Sequence, residues 1–318
     1  MKVRFWGTRG SIPVSISAPD IRAKLTTALA GSIGHDISSP ERIDAYIDSL
    51  GFDISGTFGG HSSCVQVDTG DTEHIIFDLG SGARPLGGAM LGRFGPGKPQ
   101  TYHVFMSHPH WDHIMGFPFF TPVYIPGNRI VIHGCHEQLE RAFRRQQGAP
   151  SFPVTFEQLG ATIEFDIMRP GEIRKVAGAT AVALAQRHAG DSYGWRIEHG
   201  GKVIVYSTDS EHKLDDVAER LRFVNFFRDA DLVIFDAMYS LADAISVKAD
   251  WGHSSNIVGV ELCQLAGARR LALFHHEPAY SDTQIARVLA ETRRLEEITR
   301  DGHAVEVLSA WDGLEIAL

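Results

Sequence analysis

Within six residues, His108-Pro109-His110-Trp111-Asp112-His113, the chain gathers three imidazoles and a carboxylate. Side chains so close in sequence act together only if rigid elements hold the loop at both ends. The run Tyr102–Met106 before it is apolar, and Ile114–Phe120 after it reads as helical, so a strand delivers the loop and a helix receives it. Imidazole nitrogen and carboxylate oxygen suit zinc, iron and manganese. His108 and His110 stand two apart and project to the same side of an extended or tightly looped backbone. Asp112 and His113 come from the next turn and reach a second point a few ångströms away. One loop thus feeds two metal positions and completes neither.

The remaining ligands are expected at other strand ends. His188 follows Ala181–Ala185, Asp209 follows Val203–Tyr206, and His275 follows Leu271–Phe274. His276 competes with His275, although the spacing favours His275. Further strand signals occur at Lys2–Gly7, Ser63–Val67, Ile75–Asp78, Ile130–His133, Asp231–Asp236, Val305–Leu308 and Leu314–Leu318. The runs Tyr193–Glu198 and Lys202–Tyr206 flank His199-Gly200-Gly201 as a hairpin. Helical periodicity marks 136–147, Ser254–Ala266 and Ser281–Thr299, and a Gly/Pro-rich loop spans 92–100. The segments 20–25 and 41–47 are also helical, with Pro19 and Ser39-Pro40 as start signals. They read as an insertion at about residues 15–56 in one domain spanning 1–318. Strands interleaved with helices, and reactive residues at strand ends, predict a layered α/β architecture whose loops at one edge carry the site.

Composition narrows the partners. The formal net charge of −9 offers no general basic surface for displacing counterions from DNA or another large polyanion. A small anionic substrate stays compatible, because bound ions dominate the local field. Three dispersed cysteines, Cys64, Cys135 and Cys263, fit a reducing cytoplasm and no disulfide framework. The N-terminus lacks the apolar run of a signal peptide, and no apolar stretch reaches the ~18 residues expected of a membrane span.

The pattern H-x-H-x-D-H, followed by His, Asp and His at successive strand ends, resembles the metallo-β-lactamase superfamily over nearly the whole chain. Asp78, in Ile76-Phe77-Asp78-Leu79-Gly80-Ser81-Gly82, matches that superfamily's first motif. The resemblance implies an αββα four-layer sandwich of the metallo-β-lactamase type with the site at one edge of two facing sheets. It implies that His108, His110 and His188 bind one divalent ion, that Asp112, His113 and His275 bind another, and that Asp209 bridges them. Zinc is the expected ion, with manganese and iron as alternatives. Asp112 counts as a catalytic residue as well as a ligand. Asp78 would support the metal loop without binding metal, and His276 would stand behind the ligands.

Two further motifs point to a branch. Trp251-Gly252-His253-Ser254-Ser255 resembles the His-Ser-Thr type motif of the tRNase Z and phosphodiesterase branch, which makes His253 the expected general acid or phosphate contact and Ser254 the cap of the following helix. Phe5-Trp6-Gly7-Thr8-Arg9-Gly10-Ser11, with Gly59-Gly60-His61-Ser62-Ser63-Cys64, resembles the opening of phosphoribosyl cyclic phosphodiesterase-type proteins, although His61-Ser62 replaces their usual Asn-Thr. Thr8, Arg9 and Ser11 are then the expected substrate contacts. The long basic arm that holds tRNA is reduced to a short echo at 92–100. These features imply a metal-dependent hydrolase of a small phosphodiester, a cyclic nucleotide or cyclic phosphate among the candidates, with RNA a weaker one. Thioesters, lactones and β-lactams on the same fold, or a non-catalytic metal sensor, are the rival readings. The insertion is the expected dimer contact, lid or substrate wall.

Overall fold

The computed structural model describes residues 1–212, 216–238 and 254–318. The strands are β1 (Lys2–Gly7), β2 (Cys64–Asp68), β3 (Glu73–Phe77), β4 (Thr101–Phe105), β5 (Arg129–Gly134), β6 (Thr162–Ile167), β7 (Ile173–Val176), β8 (Ala179–Gln186), β9 (Ser192–His199), β10 (Lys202–Ser207), β11 (Leu232–Asp236), β12 (Arg270–Phe274), β13 (Glu306–Ser309) and β14 (Glu315–Ala317). They form two seven-stranded sheets in the orders β14-β1-β2-β3-β4-β5-β6 and β13-β12-β11-β10-β9-β8-β7. In each sheet one half is antiparallel and the other parallel: β3 to β6 run parallel in the first, and β10 to β13 in the second. Parallel neighbours point their C-terminal ends to the same edge, which is where the reactive loops emerge.

The period-two alternation of side chains explains the layering. On β3, Ile75 and Phe77 join the core between the sheets, while Ile76 faces the helical layer. On β10, Ile204 and Tyr206 turn inward and Val205 outward. Sheets buried on both faces must be apolar on both, and β11, Leu-Val-Ile-Phe-Asp, is buried along its whole length. Helices α4 (Ala83–Phe94), α5 (Trp111–Ile114) and α6 (Leu139–Gln146) cover the first sheet, and α7 (Val217–Phe227), α8 (Asn256–Ala266) and α9 (Asp282–Thr299) cover the second. The architecture is the expected αββα sandwich. Among the described residues, no helix is long and apolar enough to cross a membrane.

Helices α1 (Ala18–Gly31), α2 (Pro40–Ser49) and α3 (Phe52–Ser55) occupy the segment read as an insertion. None of them fully buries a residue. They are fastened locally: the Lys24 ammonium donates to the carbonyls of Asp53 and Gly56 and to the Asp282 carboxylate at 2.5–2.7 Å. The structure also contains elements the sequence pattern did not reveal. Helix α4 runs through Pro85, Gly87, Gly88 and Gly92, residues that mask helical periodicity, and its last three residues lie in the stretch read as a loop. In place of one helix over 114–120 there is a short helix, α5, that ends at Ile114 and a separate 3-10 turn at Phe117–Phe119, where Pro118 cannot continue the α-helical hydrogen bonds.

Phe77 is fully buried, and its ring stacks on Tyr206 of the facing sheet at 4.7 Å and 10°. Phe77→Ala is therefore expected to cost about 3–5 kcal/mol in a denaturant unfolding titration. A loss below about 1 kcal/mol would mean that the contact between the sheets is not formed as described.

Candidate metal centre

The site residues stand where strands end. Asp78 follows β3, Ser107 and His108 follow β4, His188 follows β8, Asp209 follows β10 and His275 follows β12. Three of them turn with positive φ: Asp78 at 54°, Asp209 at 47° and His275 at 59°. Non-glycine residues occupy this region only when their surroundings enforce it, at a cost of about 1–3 kcal/mol each. The turn lets each side chain leave its strand and point back over the sheet edge.

Asp78 anchors the loop. It is fully buried. One carboxylate oxygen accepts from the Ser107 backbone N–H at 2.8 Å, and the other from the Ser107 hydroxyl, His113 Nδ1 and the Tyr206 hydroxyl at 2.7–2.8 Å. The His113 bond fixes its tautomer and aims Nε2 into the cluster. Burial first, and then the Asp78 charge, push the Tyr206 phenol well above its usual pKa, so it remains a donor. Ser62 of the Gly59–Cys64 motif holds the same loop from another side, its hydroxyl donating to the Asp112 carbonyl at 2.7 Å. Trp195 of the second sheet donates its indole N–H to the Met106 carbonyl at 2.9 Å.

The cluster divides into two sets around Asp209. One oxygen of Asp209 lies 3.7 Å from His108 Nε2 and 3.8 Å from His188 Nε2. The other lies 3.3 Å from His113 Nε2 and 3.2 Å from His275 Nε2. His110 Nδ1 is 3.2 Å from His188 Nε2, which completes the first set. An Asp112 oxygen is 3.2 Å from His113 Nε2 and 3.4 Å from His275 Nε2, which completes the second. His108, His110 and His188 could share one ion, and so could Asp112, His113 and His275, since within each trio the donor atoms lie within 4.8 Å of one another. The fit to divalent cations follows from the donors themselves. The Nε2 atoms of His108 and His113 are buried without a hydrogen-bond partner among the described residues, a costly arrangement unless a cation receives their lone pairs.

Electrostatics agree. Burial, then the neighbouring His113, push the His108 imidazole well below its usual pKa, leaving it a neutral ligand. Burial opposes charging His113 too, but Asp112, Asp209 and Asp78 together outweigh it and raise its pKa well above the usual value. Asp112 is buried as well, yet His113 and His275 hold its carboxyl far below the normal range. Without metal, a proton on His113 thus supplies the positive charge the carboxylates need.

The remaining sequence-based assignments divide. His275 faces the cluster, whereas His276 turns away and its Nε2 donates to the Ala310 carbonyl at 2.8 Å. Burial lowers the His276 pKa to about 3. Thr8 and Arg9, the expected substrate contacts, are both buried. Thr8 is fully buried and its hydroxyl donates to the Phe58 carbonyl. The Arg9 guanidinium, 4% exposed, is consumed by the carbonyls of Gly59, Glu277 and Tyr280. Their turn braces the metal edge from below: Gly10 N–H donates to the His276 carbonyl and His276 N–H to that of Thr8, both at 3.0 Å. Gly10 is required there, because a Cβ would stand 2.6 Å from the His275 ring. Ser11 alone of the three is exposed. His253 lies outside the described residues. Ser254 does not cap α8, whose N-cap is Ser255; its hydroxyl donates instead to the Ser210 carbonyl beside Asp209.

Sequence reasoning missed Asp236. It is fully buried at the end of β11, 3.9 Å from His275 Nδ1, and it accepts from the backbone N–H groups of Ser210 and Met238. It ties together the loops after three parallel strands. An aspartate closing an otherwise apolar strand was the available signal.

Two measurements test this arrangement. Asp78→Ala should lower metal affinity about 10–100-fold without abolishing binding, as read by competitive chelator titration. Zinc binding near pH 7 should release a proton, because the metal takes the His113 Nε2 position that the raised pKa keeps protonated. Affinity should therefore fall as pH falls. Calorimetry in buffers of different ionisation enthalpy measures the release, and zero protons would contradict the assignment of His113.

Comparisons with known proteins agree with the geometry. The family model described as the β-lactamase superfamily domain matches residues 89–276, which include the metal loop, His188, Asp209 and His275. A ribonuclease Z of Haloarcula marismortui is 24% identical over 290 residues, covering 77% of this chain and 88% of its own. The metallo-β-lactamase fold protein YhfI of Bacillus subtilis aligns with a TM-score of 0.64 at 18% identity over 99% of this chain and 98% of its own. The short form of human tRNase Z aligns with a TM-score of 0.60 at 19% identity over 100% and 99% of the two chains. With a shared fold, a matched family model and the metal-ligating pattern in place, the chain belongs to the metallo-β-lactamase superfamily and is one of its hydrolases.

Proposed function

We propose that the protein is a two-metal phosphodiesterase acting on a small phosphodiester. The observation that carries this reading is the position of Asp209, with its two oxygens each turned to a different histidine set. In this reading His108, His110 and His188 hold one divalent ion, Asp112, His113 and His275 hold the other, and Asp209 sets their separation. Zinc is the expected ion from the imidazole-rich donor set, with manganese and iron as alternatives. Divalent ions bound there would supply Lewis-acid activation of water and positive charge to oppose a phosphoryl oxygen.

The chain's own residues do the rest. The network of Asp78, Ser107 and Tyr206 keeps the donor atoms in place, so little reorganisation is needed when substrate arrives. His110 is exposed while His108, His113 and His275 are buried, so substrate approaches from the His110 side. Ser11 and His253 are the proposed contacts to the phosphate, with His253 donating a proton to the leaving oxygen. The choice of a phosphorus ester is supported by the name ribonuclease Z, borne by a relative that spans most of this chain. It is supported also by the Trp251–Ser255 motif.

Hydrolysis of bis(p-nitrophenyl) phosphate, with metal content measured on the same sample, tests the reading. Activity should vanish with chelator, return with zinc or manganese, and be abolished by Asp209→Ala together with metal binding. His253→Ala should keep its metal and lose about a hundredfold or more in kcat. A sample holding about two ions per chain yet inert toward phosphodiesters would overturn the proposal.

A further inference from the structure

A cavity of about 720 Å³ opens directly beside the metal loop. Pro109 and Trp111 of that loop line it, together with Phe119, Phe152, and Arg141 and Arg145 of α6. Trp111 stands between His110 and Asp112, so its Cα lies one peptide, about 3.8 Å, from the Cα of each. The residue is nevertheless 66% exposed, and Phe119 is 54% exposed. Burial of large aromatic surfaces is the norm, and Trp195 and Phe117 of this chain are fully buried. Phe119 is braced edge-on by Phe152 at 5.5 Å.

The arginines of α6 are sorted by face. Arg141 and Arg145 are one turn apart and share a side. Neither has a carboxylate partner among the described residues. Arg144 points elsewhere, bonded to Glu140 and Glu157 and stacked on Phe156 at 4.2 Å. The helix is tied to the metal loop, since Gln146 donates to the Ile114 carbonyl at 2.8 Å. In a chain of net charge −9, two unneutralised guanidinium groups flanking two open aromatic faces are a local exception.

We infer that this cleft binds the nucleoside part of the substrate. A nucleobase has the π-face that Trp111 and Phe119 can stack against, and its flanking phosphate matches the guanidinium groups of Arg141 and Arg145. The inference rests on the phosphodiesterase reading and narrows its substrate to a nucleotidyl phosphodiester, whether a free nucleotide or the end of an RNA strand. Stacking on Trp111 would bring the adjoining phosphodiester to the metal edge.

The test compares two diesters with the same leaving group, thymidine 5′-(p-nitrophenyl phosphate) and methyl p-nitrophenyl phosphate. The wild-type protein should prefer the base-bearing diester, chiefly through a lower KM. Trp111→Ala, Phe119→Ala and Arg145→Ala should each reduce that preference, about tenfold for the loss of one stacked base. Phe119 and Arg145 lie outside the metal loop, so their variants keep the test open if Trp111→Ala disturbs metal content. Adenosine monophosphate should also quench the tryptophan fluorescence of the purified protein, and the quenching should be lost in Trp111→Ala. Turnover of 2′,3′-cyclic AMP would identify a free nucleotide as the occupant, and turnover of a short single-stranded RNA would identify a strand end. Equal use of both diesters by the wild type, or an unchanged preference in all three variants, would overturn the inference. If neither diester is hydrolysed by metal-loaded protein, the phosphodiesterase reading fails, and quenching by adenosine monophosphate then judges the cleft by itself.

Discussion

The site depends on one buried carboxylate. Asp78 sits between the sheets without exposure and collects four hydrogen bonds, from the Ser107 backbone and hydroxyl, His113 and Tyr206. An ionised carboxylate removed from water is costly unless its lone pairs are satisfied, and here they are. The donors come from both sheets: Ser107 and His113 belong to the loop after β4, and Tyr206 to β10. The same group therefore orients the metal loop, selects the His113 tautomer and registers one sheet against the other. Phe77, next to Asp78 in sequence, stacks on the ring of Tyr206 and gives this polar bridge an apolar counterpart.

Around that anchor the sandwich concentrates costs, the electrostatic part of which a bound cation would relieve. Asp78, Asp209 and His275 hold left-handed backbone, and the inward nitrogens of His108 and His113 lack hydrogen-bond partners among the described residues. Carboxylates and imidazoles crowd within 3.2–3.8 Å. Such local conflict is tolerable because strands on both sheets over-determine each position. Asp236 and the Thr8–Ser11 turn are part of that over-determination, both standing against the His275–His276 segment.

The helical insertion and the loops facing α6 lie outside this rigid frame. The insertion helices bury no residue fully and are pinned through Lys24, so their sequence is free of the constraints that shape the sheets. The cleft bounded by Trp111 and α6 likewise presents Trp111, Phe119, Arg141 and Arg145, which are exposed and outside the core clusters. Specificity can change there without disturbing the metal edge, which is the usual division between a scaffold and the loops it carries.

Much of the molecule was legible in the chain. The density of ligand-type residues in 108–113, the apolar runs ahead of His188, Asp209 and His275, and the alternation on the strands are local patterns, and local patterns survive folding. Helix α4 was not legible, because its glycines and proline mask the period, and its helicity comes from packing Leu86 and Met90 on the first sheet. Nor could the chain alone choose between His275 and His276. Adjacent residues point to opposite sides, and only the turn at φ 59° decides which one meets Asp209. Thr8 and Arg9 looked like phosphate contacts by type, but tertiary neighbours consume their donors. The sequence by itself determined most of the elements and which residue types reach the sheet edge. Which atoms face one another across that edge, with Asp209 between two histidine sets and Asp236 behind His275, was decided by the packing of the two sheets, because those distances join residues more than 25 positions apart in the chain.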